Sequence, residues 1–77
     1  MQLSRCPTDI DAEVLAVGVP DAAQLRLREV GVREGSTVRV THLAPFGGRV
    51  LAVGASRIAL DRATADLIDV TVPQVVR

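Results

Sequence analysis

The sequence predicts a small all-β barrel: about five antiparallel strands, one helix after the first strand and a helical turn before the last. Three observations carry this. The chain has 77 residues, enough for one domain that buries only about 60–65% of the surface its unfolded form exposes. Short apolar or alternating runs recur between Gly, Pro and Asp punctuation, the signature of short strands and tight turns. Only one stretch has both helical periodicity and the residues that start and stop a helix.

Residues 1–9 are weakly patterned and read as an N-terminal tail, because Pro7 interrupts any regular element. The barrel is expected over 10–73, with 74–77 as a C-terminal tail. The first strand falls at about 12–18, Ala-Glu-Val-Leu-Ala-Val-Gly. Val14 and Ala16 would share one face, and Leu15 and Val17 the other. The nearly unbroken apolar run implies that both faces are covered.

The helix is expected over 22–30. Asp21 supplies an N-cap, and Gln24 three residues later completes a capping box. Ala23, Leu27 and Val30 form one apolar face. Gly31 stands where a left-handed residue ends a helix. A nine-residue helix does not persist alone in water, so it must dock on the sheet.

Val38 and Val40 alternate with Thr37, Arg39 and Thr41, the mark of a half-buried antiparallel strand over 36–43. Ala44-Pro45-Phe46-Gly47-Gly48 is a loop. Strands are expected at 49–53 and 56–60, joined by the tight turn Gly54-Ala55. Asp61 would cap a helical turn over 62–66, and a last strand runs from about 66 to 72, ended by Pro73. The short connections between strands two, three and four imply a meander. A sheet this small hides its edges by curling, which gives an SH3-like barrel with a helix across one side.

Composition excludes several roles. Hydrophobic residues make up 48% and the net charge is zero, which is not the profile of a disordered chain. No stretch approaches the roughly 18–20 apolar residues of a membrane span. The first residues lack the apolar core of a signal peptide. A single cysteine, Cys6, makes no internal disulfide and fits a reducing cytoplasm. Zero net charge with one aromatic residue, Phe46, argues against nucleic-acid binding.

The middle of the chain carries a family resemblance. The run Leu27-Arg28-Glu29-Val30-Gly31-Val32-Arg33-Glu34-Gly35-Ser36-Thr37-Val38-Arg39-Val40 resembles the RLxxLGlxxGxxvxV signature of FeoA domains. Ala44-Pro45-Phe46-Gly47-Gly48 is similar to the family's aPlGgP loop. Arg57-Ile58-Ala59-Leu60 and Ala65-Asp66-Leu67-Ile68-Asp69-Val70 are similar to its aLrxxxAxxIxV ending. Glu34 and Arg49 stand where the family often has Pro. The resemblance implies a non-enzymatic cytoplasmic accessory of ferrous iron uptake. Its implied partner is FeoB, the membrane transporter with a G-protein domain, contacted on the cytosolic side without insertion of this chain into the membrane. The alternative is a metal-responsive module, like the same barrel at the C-terminus of iron-dependent repressors.

Candidate site residues follow. One His and one Cys on different elements, with no nucleophile elbow or phosphate-cradling loop, leave no catalytic set. A transition-metal site wants three or four His, Cys or carboxylate ligands. Cys6, Glu13 and His42 are weak candidates for Fe2+ or another divalent ion, and Asp9-x-Asp11-x-Glu13 reads first as a solvated strand edge. Cys6 is expected as a free thiol in a loose tail. The loop is the best candidate contact surface, with Pro45, Phe46, Gly47 and Gly48. Phe46 is either an interface anchor or a plug for the barrel end, two readings the residues leave open. Leu25 lies off the apolar stripe of the helix and is a second contact candidate. An open edge near the last strand could pair with a second copy.

Overall fold

The computed structural model describes residues 1–73; the expected C-terminal tail lies outside the described residues. Five strands form one antiparallel sheet: β1 (Asp11–Val17), β2 (Thr37–Leu43), β3 (Arg49–Val53), β4 (Ser56–Leu60) and β5 (Ile68–Thr71). The order is β4-β3-β2-β1-β5, so β2, β3 and β4 are the predicted meander and β1 lies between β2 and β5. Helix α1 (Asp21–Glu29) follows β1, and the short helix α2 (Arg62–Asp66) joins the edge strands β4 and β5. Every strand feeds one apolar core, so the sheet closes round that core as a small barrel left open between its two edges.

β1 departs from its expected pattern. Ala12 and Val14 are buried, but Leu15 and Ala16 are exposed. The cause is a bulge: Val14 pairs with Val70, yet the next pair is Ala16 with Asp69, leaving Leu15 as the extra residue. A bulge reverses the in–out alternation. Val17, not Ala16, therefore packs on the core, and only one face of β1 is covered. A second irregularity in β2, between Val40 and His42, leaves His42 exposed.

Helix α1 starts one residue earlier than expected. Pro20 holds the cap position at φ −57° and ψ 154°, and Asp21 is the first helical residue, with no side-chain cap. Asp21 still places a negative charge in the first turn, where the helix dipole favours it. Gln24 makes no capping box. Its Nε2 donates to the Val17 and Val19 carbonyls at 2.9 and 3.3 Å, tying the helix to the end of β1. The predicted stop holds. Gly31 has φ 97°, and its N–H and that of Val32 bond to the Arg28 and Leu27 carbonyls. That is the double bond pattern of a Schellman end.

The expectation of a loose N-terminal tail is corrected. Leu3 is fully buried and Cys6 only 3% exposed, both within the core. Leu3–Arg5 forms a 3-10 turn. The Val70 N–H donates to the Met1 carbonyl at 2.8 Å and Gln2 bridges Asp69, so the chain start lies along β5. Thr8 bridges Val40 on the other side. These contacts join residues more than 30 positions apart, and local patterning carries no trace of them.

Candidate functional site: the Phe46 loop

The β2–β3 loop presents Phe46, and three sets of contacts brace it. The Ala44 N–H donates to the Gly48 carbonyl at 2.9 Å, closing the loop at its base. Pro45–Gly47 forms a 3-10 turn. Gly47 has φ 83°, and a Cβ there would lie 2.7 Å from Arg62 Cδ on α2. A Cβ on Gly48 would lie 3.0 Å from the Leu60 carbonyl oxygen. Gly47 lies in the left-handed region that favours glycine, and a Cβ on Gly48 would crowd the Leu60 carbonyl, so the loop lies close against α2 and the end of β4.

Arg49 is the third brace. One guanidinium nitrogen donates to the Gly47 and Gly48 carbonyls at 2.8 and 2.9 Å, and the other donates to the Ser4 carbonyl. Its Nε is buried without a hydrogen-bond partner among the described residues. Arg49 thus fixes loop and N-terminal turn to one another, at a position where proline would supply stiffness but no bonds.

On this base Phe46 is 100% exposed. Its backbone is left-handed, at φ 59° and ψ 27°. A non-glycine residue in that region is strained by about 1–2 kcal/mol. The ring fills no barrel end, so the plug reading does not hold. Leu43, at the foot of the loop, is 63% exposed. Leu25 is also exposed, at 65%. It shares a shallow groove on α1 with Asp21, Gln24 and Arg28.

The candidate metal ligands are not gathered. Cys6 is buried in the core, while Glu13 on β1 and His42 on β2 are exposed. Burial pushes the Cys6 thiol up from its ordinary range, with the amino terminus and Arg49 pulling weakly the other way. His42 Nδ1 lies 3.1 Å from Thr41 Oγ1. Asp11 is engaged by Arg39, whose Nε donates to it at 2.8 Å, and this bond raises the Arg39 guanidinium further. Among the described residues no group of three or more His, Cys, Asp or Glu is placed to hold a metal ion. Cys6, Glu13 and His42 therefore do not converge on one site. Among the same residues no helix is long and apolar enough to cross a membrane.

Comparison with known proteins decides the family. A family model for the FeoA domain matches residues 1–72. The chain belongs to the FeoA family. This is a family of small SH3-like accessory domains associated with iron transport, not a known enzyme family. The chain is 36% identical to Stenotrophomonas maltophilia FeoA, a prokaryotic SH3 domain protein solved with zinc, with a TM-score of 0.76 over 91% of this chain and 88% of that one. It is 30% identical to iron(II) transport protein A from Clostridium thermocellum, with a TM-score of 0.83 over 94% of this chain. It spans only 45% of that protein's length. The zinc-bound ScaR structure shares the fold, at 22% identity and a TM-score of 0.78, over 92% of this chain and 36% of that one. Among curated proteins none matches. The model's start at residue 1 agrees with the N-terminal turn being part of the FeoA domain and not an appendage.

Proposed function

We propose that this FeoA protein is a non-enzymatic, cytoplasmic accessory of ferrous iron uptake that docks on the cytosolic side of a FeoB-type transporter through the Phe46 loop. One observation supports the reading above the rest: the only aromatic ring of the chain is fully exposed on a loop braced from three sides. A soluble domain gains nothing for its own stability from such a ring, whereas a rigid aromatic anchor is the usual centre of a protein interface. Pro45, Gly47 and Gly48 hold the anchor, and Leu25 supplies a secondary contact from α1. Docking would act on the transporter's gating or nucleotide cycle.

The test is binding of the full chain to the detergent-solubilised FeoB of the same genome. Phe46→Ala should weaken binding at least about 30-fold, the size of an interface hot spot, with an unchanged far-UV spectrum. Full-strength binding by Phe46→Ala overturns the assignment of the loop; no binding by the parent chain overturns the partner. The metal-responsive alternative has less support, because the donors stand apart; calorimetry with Zn2+ and Fe2+ separates the two readings.

A further inference from the structure

The core face of the sheet is unfinished on one side. Ile58 and Leu60 of β4 point to the same face as Leu51, the register partner of Ile58. Leu51 is fully buried, but Ile58 and Leu60 remain partly exposed. The reason is topological: β4 is an edge, and no strand lies beyond it. Helix α1 stands off from that edge and leaves a groove of about 440 Å³, with Leu27, Val30, Ile58 and Leu60 along it.

The backbone of β4 is unfinished in the same place. Gly54-Ala55 is a two-residue turn with Gly54 at φ 56°. The pair flanking such a turn, Val53 and Ser56, exchanges both ladder bonds, so the pattern alternates from there. The N–H and C=O groups of Arg57 and Ala59 then point away from β3. Among the described residues neither bonds to any turn, loop or cap.

Charge sets the rest. Arg57 lies on the outer face, in one row with Ala52, and Arg26 stands on the rim of the groove. Neither has a carboxylate within ion-pair distance among the described residues. Asp61 also lines the groove, but its carboxylate is held by the Thr64 N–H.

We propose that β4 is a strand-addition site for an extended segment in which aliphatic and acidic residues alternate. The segment bonds to the Arg57 and Ala59 backbone, sends aliphatic side chains into the groove, and lays carboxylates beside Arg57. Strand addition takes affinity from the backbone and selectivity from alternate side chains. A second copy of this chain fits less well, since antiparallel β4 strands would bring two Arg57 side chains onto one face of a short junction. The surface is distinct from the Phe46 loop, and the proposal does not depend on the transporter reading.

The test is a titration of the isotope-labelled chain with an end-capped seven-residue peptide of alternating Glu and Val, followed by amide NMR. A peptide of the same composition in two blocks and one with Lys in place of Glu are controls. Shifts should centre on residues 57–60, and exchange of the Arg57 and Ala59 amides should slow. Ala59→Pro removes an N–H that β3 does not use and should cut affinity at least tenfold; Arg57→Glu should cut it at least fivefold and serves if the proline variant fails to fold. Phe46→Ala should leave peptide affinity unchanged, which keeps this result separate from the transporter test. Equal binding by the block peptide, shifts centred elsewhere, undiminished binding by the Pro and Glu variants, or dimerisation through β4 would each overturn the proposal.

Discussion

The Ser4 hydroxyl donates a hydrogen bond to the Asp66 carboxylate, fastening the 3-10 turn at the chain start to α2, 62 residues away. Ser4 is only 9% exposed, so the bond sits at the edge of the core beside Leu3. Arg62 approaches the same carboxylate at 3.9 Å, too far and too exposed to replace it. Ser4→Ala should cost about 1–2 kcal/mol in urea unfolding, the range for a hydrogen bond to a charged group with partial solvent rescue. Leu3→Ala should cost more, about 2–4 kcal/mol, by opening a cavity under β5 and α2. Unchanged midpoints for both variants would show that the first residues do not pack in solution.

Cys6 should behave as a core residue. It is 3% exposed, and burial raises its thiol pKa. Only the thiolate reacts with disulfide reagents, so labelling of the native protein at pH 8 should be slower than in denaturant by on the order of 100-fold. The linkage has a definite sign. The folded state holds the proton more tightly than the unfolded state, so this contribution is complete below about pH 9.0. It is lost as pH rises through the raised value. Rapid labelling of the folded chain would return Cys6 to the surface.

How much was readable beforehand depended on how local each signal was. β3, β4 and α2 lie where the turn residues put them, because Gly54-Ala55 and Asp61 act on their immediate neighbours. Gly31 ended α1 for the same reason. The bulge at Leu15 was not readable, since it is set by pairing with β5, some 55 positions on. Nor was the N-terminal turn, whose partners Asp66, Asp69 and Arg49 are all distant in sequence. For the candidate site, the loop and its ring were visible in the residue types. Whether the ring plugs the barrel or stands outside it was not, because that rests on Gly47 and Gly48 packing against α2 and β4.

Asp61 gives an acid-side prediction. Its carboxylate accepts from the Thr64 N–H at 2.8 Å, and hydrogen bonding from Thr64, first by its side chain and second by this N–H, holds its pKa below the ordinary 3.8. The depressed group stabilises the fold above about pH 3.8, and that stability is lost as pH falls through the lower folded value. Asp61→Asn and the parent chain should therefore differ in urea midpoint at pH 7 and converge toward pH 2. A difference of the same size at both ends would mean that the charge plays no part in the cap.

Gly31 gives a steric one. Its φ of 97° is closed to most side chains, and a Cβ there would meet Val53 Cγ1 at 3.1 Å. Gly31→Ala should lose about 1–3 kcal/mol, combining left-handed strain with crowding of the core. Gly35 is a natural control. It also has positive φ, at 86°, but nothing lies within 4 Å of its Cβ position. Gly35→Ala should show the strain without the crowding and lose less. Equal losses would place the whole effect in the backbone and none in the contact with Val53.

Phe46 supplies the prediction that separates stability from contact. A ring that is 100% exposed buries nothing, so Phe46→Ala should leave the urea midpoint within about 0.5 kcal/mol of the parent. Phe46→Gly goes further, because it relieves the left-handed strain at φ 59°. The relief of about 1–2 kcal/mol is partly offset by the extra chain entropy of glycine, about 0.5–1 kcal/mol. The glycine variant should end slightly more stable than the parent while presenting no ring at all. A destabilisation above about 1 kcal/mol in Phe46→Ala would put the ring against the barrel in solution. Stable chains that lack the ring, and lose the partner with it, would show that a left-handed aromatic is kept at this loop for what it touches outside the molecule.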